Sequence, residues 1–95
     1  MRILGLDYGS KTVGVAMTDA LGMTVQPYKT IQRDRESKLR QTLSEIAEIV
    51  EQYRIEKIVM GLPLNMDDTE GDRAAKTRDF AEKLKLRVAV PIVFT

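Results

Sequence analysis

The chain has 95 residues, room for one small domain and not two. Fifteen Lys and Arg against fourteen Asp and Glu leave a net charge of +1, so any basic surface for nucleic acid has to be local. Cys and His are absent, which excludes disulfides, zinc sites built on thiolate or imidazole and His-based triads; the metals left are hard, oxygen-bound ones, magnesium or manganese.

Arg2 to Tyr8 alternates as a strand, with Ile3, Gly5 and Asp7 on one face and Leu4, Leu6 and Tyr8 on the other. Thr12 to Thr18 reads as a second strand. Gly9-Ser10-Lys11 between them predicts a tight hairpin turn, with Gly9 able to take a positive φ. A third strand is expected from Val25 to Gln32, and Pro27, which cannot donate to a ladder, makes it an edge. The charged run Arg33 to Lys38 reads as the entry to a helix capped by Asp34, with an inward stripe of Leu39, Leu43, Ile46, Val50 and Tyr53. Lys57 to Leu62 reads as a buried strand ended by Pro63, and Asn65 to Gly71 as a loop. A second helix follows from Asp72 to Lys85, with Ala74, Thr77, Ala81 and Leu84 facing inward. Arg87 to Phe94 is expected as a fifth strand, again an edge because of Pro91.

Strands joined by short turns pair antiparallel, and strands joined through helices pair parallel with right-handed crossovers. The expectation is an α/β domain: a mixed five-stranded sheet with helices packed on it. No stretch is long enough to span a membrane. The first strand starts too near Met1 for a signal peptide. A cytoplasmic location is expected.

Asp7 is the residue that asks for an explanation. A carboxylate in an apolar strand is costly unless it is paired. Gly5, Gly14 and Ala16 surround it with space for an ion, a phosphate or a closely packed helix. Two readings stand side by side: a metal or phosphate site, or a side chain that caps the hairpin turn through backbone amides. Likewise, Ser10 and Lys11 are either phosphate contacts or ordinary turn residues. Asp67 and Asp68 are either accessory acids or part of a solvated turn, with Asp68 or Thr69 capping the second helix. Arg73, Lys76 and Arg78 are either phosphate contacts or a solvated helix face.

The stretches ILGLDYGSKTVGVAMTD and KIVMGLPLNMDDTEG resemble the YqgF family, also called RuvX, and the resemblance runs through essentially all 95 residues. It implies a ribonuclease H-like fold with strand order 3-2-1-4-5. It also implies metal-dependent hydrolysis of phosphodiester bonds, in 5′-end processing of precursor 16S rRNA or on branched DNA. On this resemblance Asp7 is the catalytic first-strand carboxylate and a ligand to Mg2+ or Mn2+. Ser10 and Lys11 belong to the turn facing the nucleic-acid backbone. Gly61, Pro63 and Asn65 map onto the loop after the fourth strand, with Lys11 and Asn65 positioning the phosphate. The family usually has glycine where this chain has Asp68, a change that alters the turn or adds a carboxylate. Further family carboxylates and helices would follow Thr95, so the resemblance implies a single truncated domain over residues 1–95, with activity of this form in question. One sheet face left under-covered, and a β-prone fifth edge strand, predict a homo-oligomer. Two rival readings are a non-catalytic nucleic-acid-binding or assembly module of the same fold, and the phosphate-binding half of an actin-like kinase, which shares the D-x-G hairpin.

Overall fold

The computed structural model describes all residues from Met1 to Thr95. Seven elements follow in the order β1 (Arg2–Tyr8), β2 (Thr12–Thr18), β3 (Val25–Gln32), α1 (Arg40–Gln52), β4 (Ile55–Met60), α2 (Asp72–Lys85) and β5 (Ile92–Phe94). The strands form one sheet in the order β3-β2-β1-β4-β5, as expected. β1, β2 and β3 pair antiparallel, and β4 pairs parallel with both β1 and β5. None of the helices is long and apolar enough to cross a membrane.

Both helices lie on one face. Leu4, Leu6 and Tyr8 of β1, Val13, Val15 and Met17 of β2, and Ile58 and Met60 of β4 meet Leu43, Ile46, Ile49 and Val50 of α1 and Phe80, Ala81 and Leu84 of α2 in a single core. Phe80, which the inward stripe of α2 omitted, is fully buried and stacks on Tyr8 with ring centroids 4.4 Å apart. The opposite face of the sheet carries Ile3, Gly5 and Asp7, Gly14 and Ala16, and Val59, and no helix covers it.

β3 is an edge, and Pro27 has a specific place in it. The register slips between Val15 and Ala16, which pair with Lys29 and Pro27, so Tyr28 is the extra residue of a bulge and the proline sits beside it.

Three boundaries differ from the sequence expectation. The first helix starts at Arg40 rather than within the charged run, and Asp34 does not cap it; Leu39 stands at the N-cap with no side-chain bond. The run instead folds into turns, with the Lys38 amide donating to the Arg35 carbonyl and the Leu39 amide to that of Ser37. β4 begins two residues early because Arg54, with φ of 52°, turns the chain directly from α1 into the sheet. β5 is only three residues long. Its expected first residues are used at the end of α2, where the Arg87 and Val88 amides both donate to the Leu84 carbonyl.

Candidate nucleic-acid interface

Asp7 lies one residue from the end of β1, opposite Gly14 of β2, with its side chain on the open face. It is exposed, so water meets the solvation cost that a buried carboxylate would carry. It belongs to none of the ion pairs, and the hairpin turn does not use it. The Gly9 amide closes that turn onto the Thr12 carbonyl at 2.7 Å. Gly9 is required there by close approach rather than by a positive φ. A Cβ at that position would sit 3.1 Å from both the carbonyl and the hydroxyl oxygen of Thr12.

Around Asp7 the open face forms a shallow trough of about 540 Å³, floored by Gly5, Gly14, Ala16, Val59 and Gly61 and walled by Pro27, Lys29 and Thr30 of β3. A Cβ on Gly14 would meet the Asp7 Cβ at an ordinary 3.6 Å, so the floor is open rather than tightly closed. Ser10 and Lys11 project from the turn at the same end of β1, both exposed.

The loop after β4 is organised around Asn65. Its amide nitrogen donates to the Thr69 hydroxyl at 3.1 Å, its backbone amide to the Thr69 carbonyl at 2.8 Å, and its carbonyl accepts from the Asp68 amide at 2.9 Å. Gly71 lies against it so closely that a Cβ there would be 2.8 Å from the Asn65 side-chain oxygen. Asp67 accepts from the hydroxyl and the amide of Thr69. These bonds, the hydroxyl first, hold its carboxyl below the ordinary range. Asp68 has φ of 66°, the left-handed region that glycine enters freely and Asp tolerates. Neither Asp68 nor Thr69 caps α2; Gly71 is its N-cap, without a side-chain bond.

The structure gathers Asp7, Ser10 and Lys11 at one end of the sheet. It does not gather the acids: no group of three or more Asp or Glu is placed to hold a metal ion. Asp7 fits as one ligand of a hard cation, being an unpaired, accessible carboxylate, but these residues do not complete such a site.

The three α2 cations singled out from the sequence, Arg73, Lys76 and Arg78, are ion-paired. Arg78 makes a two-pronged bond to Glu70, 2.8 Å on each arm, and lies over the Phe94 ring. Arg73 and Lys76 both bond Glu36. Burial works to raise the Glu36 carboxyl, but the bonds from Arg73 and then Lys76 outweigh it and leave it lowered. Burial raises the Tyr8 phenol, with the Arg33 charge opposing. Arg33 and Arg73 both lie over the Tyr8 ring, at 4.9 and 5.6 Å from its centroid. This cluster of Tyr8, Arg33, Glu36 and Arg73 escaped the sequence reading. The only signal was the alternating charge of RDRESK, and that read as a helix entry.

A hairpin carrying an exposed carboxylate at the centre of a mixed 3-2-1-4-5 sheet defines a ribonuclease H-like domain. Thermus thermophilus RuvC shares that fold with a TM-score of 0.68 at 11% identity, over 100% of this chain and 63% of RuvC. A Ppx/GppA phosphatase from Aquifex aeolicus shares it more distantly, with a TM-score of 0.53 at 18% identity, over 100% of this chain and 35% of the phosphatase. The sequence is more specific than the fold: the pattern of the RuvX family, described as Holliday junction resolvase, matches residues 1–95, and the chain belongs to that family. A relative from Agathobacter rectalis, named "Putative pre-16S rRNA nuclease", is 49% identical over 94 residues, 99% of this chain and 66% of the relative. The chain thus spans just under two thirds of that relative's length.

Proposed function

We propose that this chain is the hydrolytic domain of a metal-dependent nuclease, acting in the cytoplasm on structured nucleic acid, with precursor 16S rRNA as the preferred substrate over branched DNA. The observation that carries the reading is Asp7: an exposed, unpaired carboxylate beside an open trough of small residues, in a chain of the RuvX family. The trough gives a phosphodiester room to lie beside the Asp7 carboxylate. Lys11 supplies a positive charge to the backbone phosphate, Ser10 a hydrogen bond, and Asn65 orders the neighbouring loop. Asp7 holds one corner of a Mg2+ or Mn2+ site, whose chemistry is activation of water and stabilisation of the leaving oxygen. The remaining ligands come from Asp67 and Asp68 or from a partner chain once the substrate is bound.

The test is cleavage of labelled precursor-like RNA in magnesium or manganese, comparing the chain with Asp7→Asn. Metal-dependent cutting lost in Asp7→Asn supports the reading, and equal cutting by both proteins overturns Asp7's role. A second reading, a binding module with an incomplete site, is favoured by the absence of a grouped set of acids. It predicts that both proteins bind the RNA and neither cuts it.

A further inference from the structure

We propose that Arg33 is a positioning residue for the Asp7 site, splinting the Gly9–Lys11 turn from behind the sheet. The inference rests on the nuclease reading for what the turn is positioned to do, and on geometry alone for the splint. Arg33 follows the last residue of β3 and reaches both ends of the turn. Its backbone amide donates to the Lys11 carbonyl at 2.8 Å, and its Nη2 donates to the Gly9 carbonyl at 2.7 Å. Its guanidinium plane lies over Tyr8, the residue after Asp7.

Asp7 faces the open side of the sheet and Tyr8 the covered side, so Arg33 acts on the far side of the strand from the candidate substrate. Only the backbone stands between them. Arg33 is itself held: its Nε lies 3.4 Å from the Glu36 carbonyl, while the Glu36 carboxylate is fixed by Arg73 and Lys76 of α2. Its Nη1 is buried with no partner in the fold, so the side chain is not placed to maximise its own hydrogen bonds. A planar fork can stack on a ring and donate along its edge at once. A lysine ammonium has no plane to stack on the ring while its edge donates. The requirement is therefore for arginine and not merely for positive charge.

The experiment compares the chain with Arg33→Lys, Arg33→Gln, Lys83→Gln and Asp7→Asn by amide hydrogen exchange and by Mn2+ broadening of the Tyr8, Gly9 and Ser10 amide signals. Arg33→Lys and Arg33→Gln are expected to speed Gly9 exchange about tenfold, with the Val13 amide unchanged, and to raise the Mn2+ concentration for half-broadening at least threefold. Lys83→Gln, which removes a cation paired only with Asp79 and outside the Arg33–Glu36 network, is expected to change neither. Arg33→Lys matching the unsubstituted chain in both readouts overturns the proposal, and Arg33→Lys is the deciding variant where Arg33→Gln fails to fold. Faster Gly9 exchange with unaltered, Asp7-dependent Mn2+ broadening also overturns it, because Arg33 is then structural and does not position the site. Broadening that survives Asp7→Asn sinks the metal reading of Asp7 instead, and Gly9 exchange alone then decides whether the splint exists.

Discussion

The two faces of one sheet do different jobs with alternate residues of the same strands. Along β1, Leu4, Leu6 and Tyr8 point into the helices and are buried, while Ile3, Gly5 and Asp7 point the other way onto a face without helices. A strand's two-residue period enforces this division. The covered face has large side chains that fill volume; the open face has glycines and alanine that leave it. Stability and the candidate chemistry are therefore separable by substitution, although they lie on adjacent residues.

The strongest way to break that comparison is to cut into the covered face. Phe80→Ala removes a fully buried ring that stacks on Tyr8 and is expected to cost about 3–5 kcal/mol in urea unfolding. Asp7→Asn, between buried Leu6 and Tyr8 but facing the open side, is expected to stay within about 0.5 kcal/mol of the unsubstituted chain. Equal losses in both would show that the faces are not independent.

Next in size is the loop beside β4. Gly71→Ala places a methyl carbon where the Asn65 amide already lies, and a loss of about 1–3 kcal/mol is expected. Pairing it with Asn65→Ala removes the obstacle, so the double variant should be more stable than the sum of the two single losses predicts. Strict additivity in a denaturation cycle would contradict the contact.

A smaller effect sharpens the role of Glu36. Its carboxyl is held below the ordinary value of 4.5, so the folded state binds its proton less readily than the unfolded state does. That contribution is present above about pH 4.5 and fades as pH falls through the lower folded value. Glu36→Gln is therefore expected to lose about 1 kcal/mol at pH 7 and to converge with the unsubstituted chain in acid, followed by urea midpoints across pH. A gap that stays constant down to the acid limit would rule out the Arg73 and Lys76 bonds as its source. The smallest change is Asp68→Gly. Relief of a left-handed Asp is expected to add a few tenths of a kcal/mol to stability, measured by thermal unfolding, and a loss would assign Asp68 an unseen contact.

Most of the fold was legible because strand alternation and turn chemistry are local. β1, β2, β3 and α2 have the residue bounds expected from pattern alone; turn lengths and crossover rules gave the antiparallel and parallel pairings, while the strand order came from the family resemblance. The failures lie where distant residues decide. Arg33 to Leu39 has the composition of a helix start, but Arg33 bonds the hairpin and Glu36 bonds α2, and the segment folds to serve them. Asp7's prominence was legible from the strand pattern, whereas the uncovered face that leaves it exposed was expected only from the family resemblance, since a strand alone does not say on how many faces helices pack. The inward ring of Phe80 was missed because its partner, Tyr8, is at the other end of the chain's pattern, on β1.

The central position of β1 is expected to set the order in which this architecture is assembled. The β1–β2–β3 meander closes through short turns, on the microsecond scale of hairpins. The other side of β1 waits for β4: Leu4 pairs with Ile58, with β2, β3 and α1 intervening. Loop-closure entropy makes that parallel pairing the slow event. Until it happens the middle of the finished sheet is an open edge, with Leu4 and Leu6 unprotected, and that interval is when the nascent domain is most exposed to mispairing.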